Sequence, residues 1–403
     1  MYLKEISLGE FQEFAVGHPL YNFFQSRGMA ESQSIRNIEN YALGLFDENE
    51  NLIAATLCFV SLNRRFIRTM NVNYGFLIDY SNREILSSFI KQFVKFCRRK
   101  RIAKIRINPY ILGFSYTEET PVKIDNSQIE NLFKEFGFSQ SDPIIDYTRL
   151  VNLMFVKDLS EFDTFDDVVK SFQPNLQRLI KKALQYDIKI SPVTYDELER
   201  YYKIECASAE KNDTSARNLA YYQSIFQGYS PIDEVLFLIA SLDIKKYREE
   251  KENKKREIQE NIKTINNQAP LSRKMKNKLG AEQEILDGIN NRLKDIEDIP
   301  ATAGIIDIGG CLAIKNSNEI TVLEMAQYEE FERFSPTSVI YYKLMESAFA
   351  EGIYRFNFYG TYGINDPESK GYNIYQYKKK FDGKLEQLIP EFELNLNFLA
   401  KFI

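Results

Sequence analysis

The chain has no tryptophan, one histidine and four cysteines in 403 residues, and each scarcity removes a class of chemistry. His18 stands in a Gly-His-Pro turn, so no histidine triad with an orienting acid can be assembled around it. No His/Cys zinc cluster exists either, and no metal is expected. Cys58, Cys97, Cys206 and Cys311 lack paired spacing and lie in largely apolar surroundings. They read as buried free thiols in a reducing compartment. No apolar run reaches the roughly 18 residues of a membrane span, and no signal peptide opens the chain. A cytoplasmic location is therefore expected, with peripheral contact at the inner face of the membrane left open. Net charge is −5, so no global basic field announces nucleic acid, and any such contact must come from local patches. The glycine-rich dinucleotide fingerprint and the phosphate-binding P-loop are absent, so neither NAD nor ATP is expected, and no cofactor at all. An enzyme with this inventory must work by positioning, electrostatics, lysine, tyrosine or carboxylates.

What remains is ample for two domains: hydrophobic content is 44%, charged content 27%, and there are 25 Tyr and 30 Phe. One segment, 244–298, is charged nearly throughout. Within it Ile258, Ile262 and Ile265 step by four and three, and Leu286, Ile289, Leu293 and Ile296 by three, four and three. That is the narrow apolar seam of paired helices. Ala269-Pro270-Leu271-Ser272 interrupts it, so the segment is expected to fold back as an antiparallel hairpin. On either side, strand and helix patterns alternate, as in α/β (α+β) structure. In the first block (1–150) a strand over 51–60, a helix over 82–101, a strand over 102–107 and a helix over 127–136 are expected. In the second (151–403) the pattern predicts helices over 165–172, 175–186, 195–211 and 218–226, and a strand over 234–242. After the arm it predicts three antiparallel strands over 303–308, 311–315 and 319–326, a helix over 335–350 and a strand over 355–359. The same plan thus occurs twice, without an identity-level repeat.

Three stretches carry a resemblance. The first is Phe23-Phe24-Gln25-Ser26, then a strand and Gly75-Phe-Leu-Ile-Asp79-Tyr80. The second is the helical arm. The third is Arg355-Phe-Asn-Phe-Tyr359-Gly360, then Gly363, then Tyr377-Lys378-Lys-Lys-Phe381-Asp-Gly383. In order and spacing the chain resembles the Fem-type (FemABX) aminoacyltransferases over essentially its full length, and the MurM/MurN branch among them. The resemblance implies two GNAT-like domains with the antiparallel coiled-coil arm inserted in the second. It implies transfer of Ser, Ala or Gly from aminoacyl-tRNA to the stem-peptide amine of a lipid-linked or UDP-linked peptidoglycan precursor. It implies catalytic roles for Lys378 and Tyr377, and substrate contacts from Arg217, Tyr221, Tyr359, Gly360 and Phe381. Arg217 and Tyr221 also stand four residues apart, the spacing of one helical turn. Local basic groups offer tRNA contacts: Lys181 and Lys182, Lys254, Lys255 and Arg256, and the run Arg98-Arg99-Lys100-Arg101.

Three departures from the family pattern stand out. Asn108 replaces an acid and cannot act as a general base. Gln33 replaces a lysine expected near the precursor phosphates. Met325 to Glu330 replaces a Gly-Gly-Ser/Thr turn. Two rival readings remain at this stage: tRNA-dependent transfer to protein N-termini, and a non-enzymatic protein that docks a partner on the arm.

Overall fold

A computed structural model describes residues 1–64, 66–141, 150–268, 270–300 and 302–402. The chain begins with β1 (Tyr2–Glu5), α1 (Leu8–Val16), α2 (Arg27–Ile35) and β2 (Asn40–Phe46). A long hairpin of β3 (Leu52–Asn63) and β4 (Ile67–Asn73) precedes α3 (Arg83–Arg99) and β5 (Lys104–Asn108). A second hairpin, β6 (Leu112–Thr117) and β7 (Thr120–Lys123), leads to α4 (Ser127–Glu135) and β8 (Ser139–Gln140). The later half opens with β9 (Leu153–Asp158), α5 (Phe165–Ser171), α6 (Pro174–Ala183) and β10 (Lys189–Pro192). Then come α7 (Leu198–Lys211), α8 (Leu219–Tyr229), β11 (Val235–Asp243) and the arm, α9 (Ile244–Asn266) and α10 (Arg273–Lys294). The chain ends through β12 (Ile305–Lys315), β13 (Glu319–Gln327), α11 (Pro336–Ala350), β14 (Arg355–Gly360), α12 (Lys370–Lys379), β15 (Lys384–Leu388) and β16 (Phe392–Asn395).

Two sheets carry these elements, in the orders β1-β2-β3-β4-β5-β16-β8 and β10-β11-β12-β13-β14-β9-β15-β6-β7. Each contains the same unit: three antiparallel strands, then a parallel neighbour reached through a helix. In the first sheet β4 pairs in parallel with β5 across α3; in the second β13 pairs in parallel with β14 across α11. The repeated plan expected from the sequence is therefore present. The sheets also trade strands: β6 and β7 extend the second sheet through β15, while β16 returns to the first, between β5 and β8. Residues 142–149, beside the expected break at 150, lie outside the described residues.

The helices over 82–101 and 335–350 form within two residues of their expected ends. The three strands expected after the arm are two, because β12 runs unbroken through Gly309 and Gly310. Those glycines do not turn the chain. A Cβ on Gly309 would sit 2.9 Å from Pro336 Cβ, and one on Gly310 3.0 Å from Tyr201 Cδ2. Their smallness lets α11 and α7 approach the strand.

The arm forms as the seam requires. Ile258, Ile265 and Ile289 are buried between α9 and α10, and Ser272 caps α10. Ala269 of the intervening turn lies outside the described residues. Ile296 lies just past α10, at 0% exposure, in the core of the second unit. There Arg248 donates to the carbonyls of Ile296 and Ile299 at 2.8 Å each, and Tyr186 bonds Asp295. The root of the arm is thus tied to the domain.

One buried carboxylate joins the two halves. Glu319, 1% exposed at the start of β13, accepts from Tyr110 Oη at 2.9 Å, Thr321 Oγ1 at 2.9 Å and Arg355 Nε at 3.0 Å. Tyr110 belongs to the loop after β5, so this bond crosses from one unit to the other. Arg355 also forks onto Glu386 of β15 at 3.0 and 2.6 Å. Replacing Arg355 leaves a buried charge without its counter-ion, which costs about 3–5 kcal/mol. Arg355→Met is expected to lower urea stability by that amount, and Arg355→Met with Glu319→Gln to recover part of it.

Candidate functional site

A cleft of ≈ 1600 Å³ opens between the two units, lined by Phe24, Arg36, Asn71 and Asn108 on one side and Tyr221, Glu324, Tyr359 and Lys378 on the other. Lys378 is 6% exposed, although it begins a run of three lysines whose second member, Lys379, is exposed. It stands in the last turn of α12 and turns inward. Its Nζ donates to the carbonyls of Gly360 at 2.6 Å, Phe358 at 2.8 Å and Tyr359 at 3.4 Å. Burial lowers its pKa to about 7. The end of β14 is shaped to receive it. Tyr359 adopts φ 61°, a left-handed conformation, and its N–H donates to Asn357 Oδ1 at 2.8 Å. That turn points three successive carbonyls at one ammonium.

Tyr377, one position before, faces the cleft and exchanges hydrogen bonds with Ser338 Oγ at 2.8 Å and Thr337 Oγ1 at 3.3 Å in the first turn of α11. Burial raises its phenol pKa. Tyr359 and Gly360 line the cleft. Phe381 does not: it is 0% exposed and packs on Tyr341, Phe358, Phe172 and Tyr377 at 5.0–5.6 Å between ring centroids. A direct substrate contact from Phe381 is therefore replaced by support for the Tyr377 ring.

Arg217 precedes α8 rather than sharing a helical turn with Tyr221; Asn218 between them is the N-cap. The two still meet, with the Arg217 guanidinium 5.6 Å from the Tyr221 ring centroid. Arg36, just past α2, lies 5.1 Å from the same ring. The cleft thus holds two guanidinium groups around one tyrosine, and burial, with a smaller contribution from Arg217, disfavours charge on Arg36. Gln33, where a cation was expected, lies one helical turn before Arg36 and also lines the cleft. Asn108 donates to Glu391 at 2.9 Å, so a carboxyl stands beside the position that lacks one, and burial raises that carboxyl's pKa. On the opposite wall are Glu205 of α7 and Glu324 of β13. Glu205 is pushed up to about 8 by burial and by Glu324, while Glu324 accepts from Tyr201 at 3.1 Å.

Arg36, Glu391 and the Glu205–Glu324 pair were missed by sequence reasoning. No motif marks them, and Glu391 acquires meaning only when β16 returns beside β5. The candidate tRNA lysines lie away from the cleft. Lys182 is bridged to Asp295 at the arm's root at 3.3 Å, and Lys254 to Glu257 at 2.8 Å, while Lys181 and Arg256 are exposed and Lys255 half-buried. Cys58, Cys97 and Cys311 are buried free thiols and Cys206 a half-buried one.

Lys378 gives a pH-dependent stability. From about pH 7 to the ordinary lysine value near 10.5, the unfolded chain keeps a proton at this position that the folded chain sheds. Stability from this group is therefore lowest below pH 7 and rises across that window, by about 1.4 kcal/mol per pH unit at most. Urea unfolding between pH 7.5 and 9 is expected to show a shallower rise for Lys378→Met than for the native chain; equal slopes overturn the assignment.

Comparison with known proteins gives one consistent result. The aminoacyltransferase FemB of Staphylococcus epidermidis is 23% identical over 409 residues, covering 98% of this chain and 95% of its own. The aminoacyltransferase FemA of Staphylococcus aureus is 22% identical over 418 residues, covering 98% and 96%. The crystal structure of FemX superposes with a TM-score of 0.85 at 17% identity, covering all of both chains. Residues 6–402 match the FemAB family, and the chain belongs to it.

Proposed function

We propose that the chain is an aminoacyltransferase that moves an amino acid (Ser, Ala or Gly) from aminoacyl-tRNA to the stem-peptide amine of a peptidoglycan precursor, as in interpeptide bridge synthesis. The observation that carries this is the inward lysine: Lys378 is a buried cation at the wall of a large cleft, in a chain of this family. The acceptor amine attacks the ester carbonyl carbon, and the carbonyl π electrons move onto its oxygen. Collapse of the tetrahedral intermediate breaks the bond to the ribose oxygen and forms the amide. Holding two substrates together supplies about 7–11 kcal/mol of such a barrier in favourable cases. The Lys378 hydrogen on its longest bond, at 3.4 Å to Tyr359, is the one offered to the developing oxyanion. Tyr377 orders the wall beside it. Glu391 accepts the amine proton, a role Asn108 cannot fill, and the proton passes to the departing ribose oxygen.

Arg36 and Arg217 hold the precursor's phosphates, since planar forks suit bidentate phosphate contact. Lys181, Lys182, Lys254, Lys255 and Arg256 remain the proposed tRNA contacts.

Purified protein with radiolabelled seryl-, alanyl- or glycyl-tRNA and lipid-linked precursor tests the reading. Transfer to the precursor is expected, and transfer to protein N-termini or to nothing overturns it. Lys378→Met is expected to lower kcat by about 10²- to 10³-fold with precursor affinity retained. Arg36→Ala and Arg217→Ala are each expected to weaken precursor binding by roughly tenfold or more, with a flatter salt dependence, in equilibrium binding.

A further inference from the structure

Among the described residues, four large apolar side chains are more than 60% exposed: Leu62 at 62%, Phe66 at 66%, Ile305 at 70% and Phe398 at 70%. Three of them gather at one end of the first sheet. Leu62 and Phe66 flank the turn of the β3–β4 hairpin, where Asn63 pairs with Ile67. β5 runs parallel to β4 with Thr69 opposite Lys104, and Ala103 N–H bonds the Arg68 carbonyl, so β5 starts at this same end. β16 runs antiparallel to β5 and finishes there, with Asn395 opposite Lys104. Leu396 then bonds Ala103, and Phe398 follows.

Cations collect at the same edge. α3 ends immediately before β5, which brings Arg98, Arg99 and Arg101 there, all exposed. Arg64 sits in the hairpin turn and Lys401 follows Phe398; both are exposed. Among the described residues none of these five cations is ion-paired. The carboxylates nearby are already neutralised: Glu39 by Arg68 at 2.6 Å, Glu5 by Lys100 at 2.8 Å and Glu393 by Lys104 at 2.9 Å. A chain of net charge −5 thus carries a local surface of unpaired arginines around exposed Leu and Phe.

We propose that this end of the first sheet docks on an anionic lipid bilayer, with Leu62, Phe66 and Phe398 entering the headgroup region and the arginines meeting lipid phosphates. Apolar side chains and cations each bind such a surface weakly, and the two together bind it usefully. RNA would satisfy the arginines but gain nothing from exposed Leu62. The placement also serves the cleft. Asn71, which lines it, is three residues along β4 from Arg68, about 10 Å at strand rise. A precursor anchored in the bilayer would meet the cleft close to the membrane plane. The membrane contact stands on this surface alone; its service to catalysis rests on the lipid-linked acceptor proposed above.

The chain lacks tryptophan, so Phe66→Trp gives a single reporter. With vesicles of phosphatidylglycerol and phosphatidylcholine, its emission is expected to shift to the blue and to be quenched by brominated acyl chains. A Val122→Trp control, 48% exposed on β7, is expected to do neither. In sedimentation, Leu62→Ser/Phe66→Ser is expected to bind these vesicles roughly tenfold less than the native chain. Arg98→Gln/Arg99→Gln is expected to lose roughly thirtyfold. Leu62→Ser/Phe66→Ser should turn over a nucleotide-linked acceptor normally and a vesicle-embedded one poorly. The proposal is overturned if the native chain does not bind anionic vesicles, or if these variants bind them undiminished. It is equally overturned if the arginine variant loses tRNA in filter binding while keeping the vesicles. Vesicle binding with no transfer to any acceptor would support the docking surface and sink the proposed function instead.

Discussion

The geometry of the cleft depends on the Glu319 carboxylate. It is removed from water and compensated by donors from Tyr110, Thr321 and Arg355, with Asn357 Nδ2 at 3.4 Å. Tyr110 brings the loop after β5 against the second sheet, and Arg355 fixes the start of β14. Asn357, two residues further on, holds the Tyr359 N–H and so the left-handed turn that presents carbonyls to Lys378. A defect at Glu319 therefore spreads in two directions, to the contact between the units and to the seat of the lysine. Buried ion pairs add little net stability over apolar packing, but losing one partner is expensive. Such a group fixes one arrangement among several that would be equally compact.

The cleft sets cations and acids side by side. Arg36 and Arg217 meet at Tyr221, Glu324 on the same wall feels Arg217, and burial favours the neutral forms of Glu205 and Glu324. Tyr201 hydrogen-bonds the Glu324 carboxyl, and among the described residues no basic side chain pairs with Glu205.

How much of this could be read from sequence varied with the range of the interaction. The arm was legible because its seam repeats every three or four residues and needs only its neighbour helix. Helices over 82–101 and 335–350 were legible for the same reason. The break expected between 308 and 311 does not occur, because glycine is demanded there by close packing against Pro336 and Tyr201, a contact distant in sequence. Lys378 could not be distinguished from Lys379 by pattern; only its motif singled it out, and only the fold shows that it is buried. Arg36 carries a charge that was sought three residues earlier, at Gln33. Glu391, Glu205 and Glu324 are lone acids on separate elements, and no local spacing could have brought them together.

The return of β16 has a temporal meaning. Its four residues lie within the last dozen of the chain, yet they fill the place between β5 and β8. During synthesis, the edge of β5 stays open until every strand of the second sheet has emerged from the ribosome. The first unit therefore cannot mature ahead of the second.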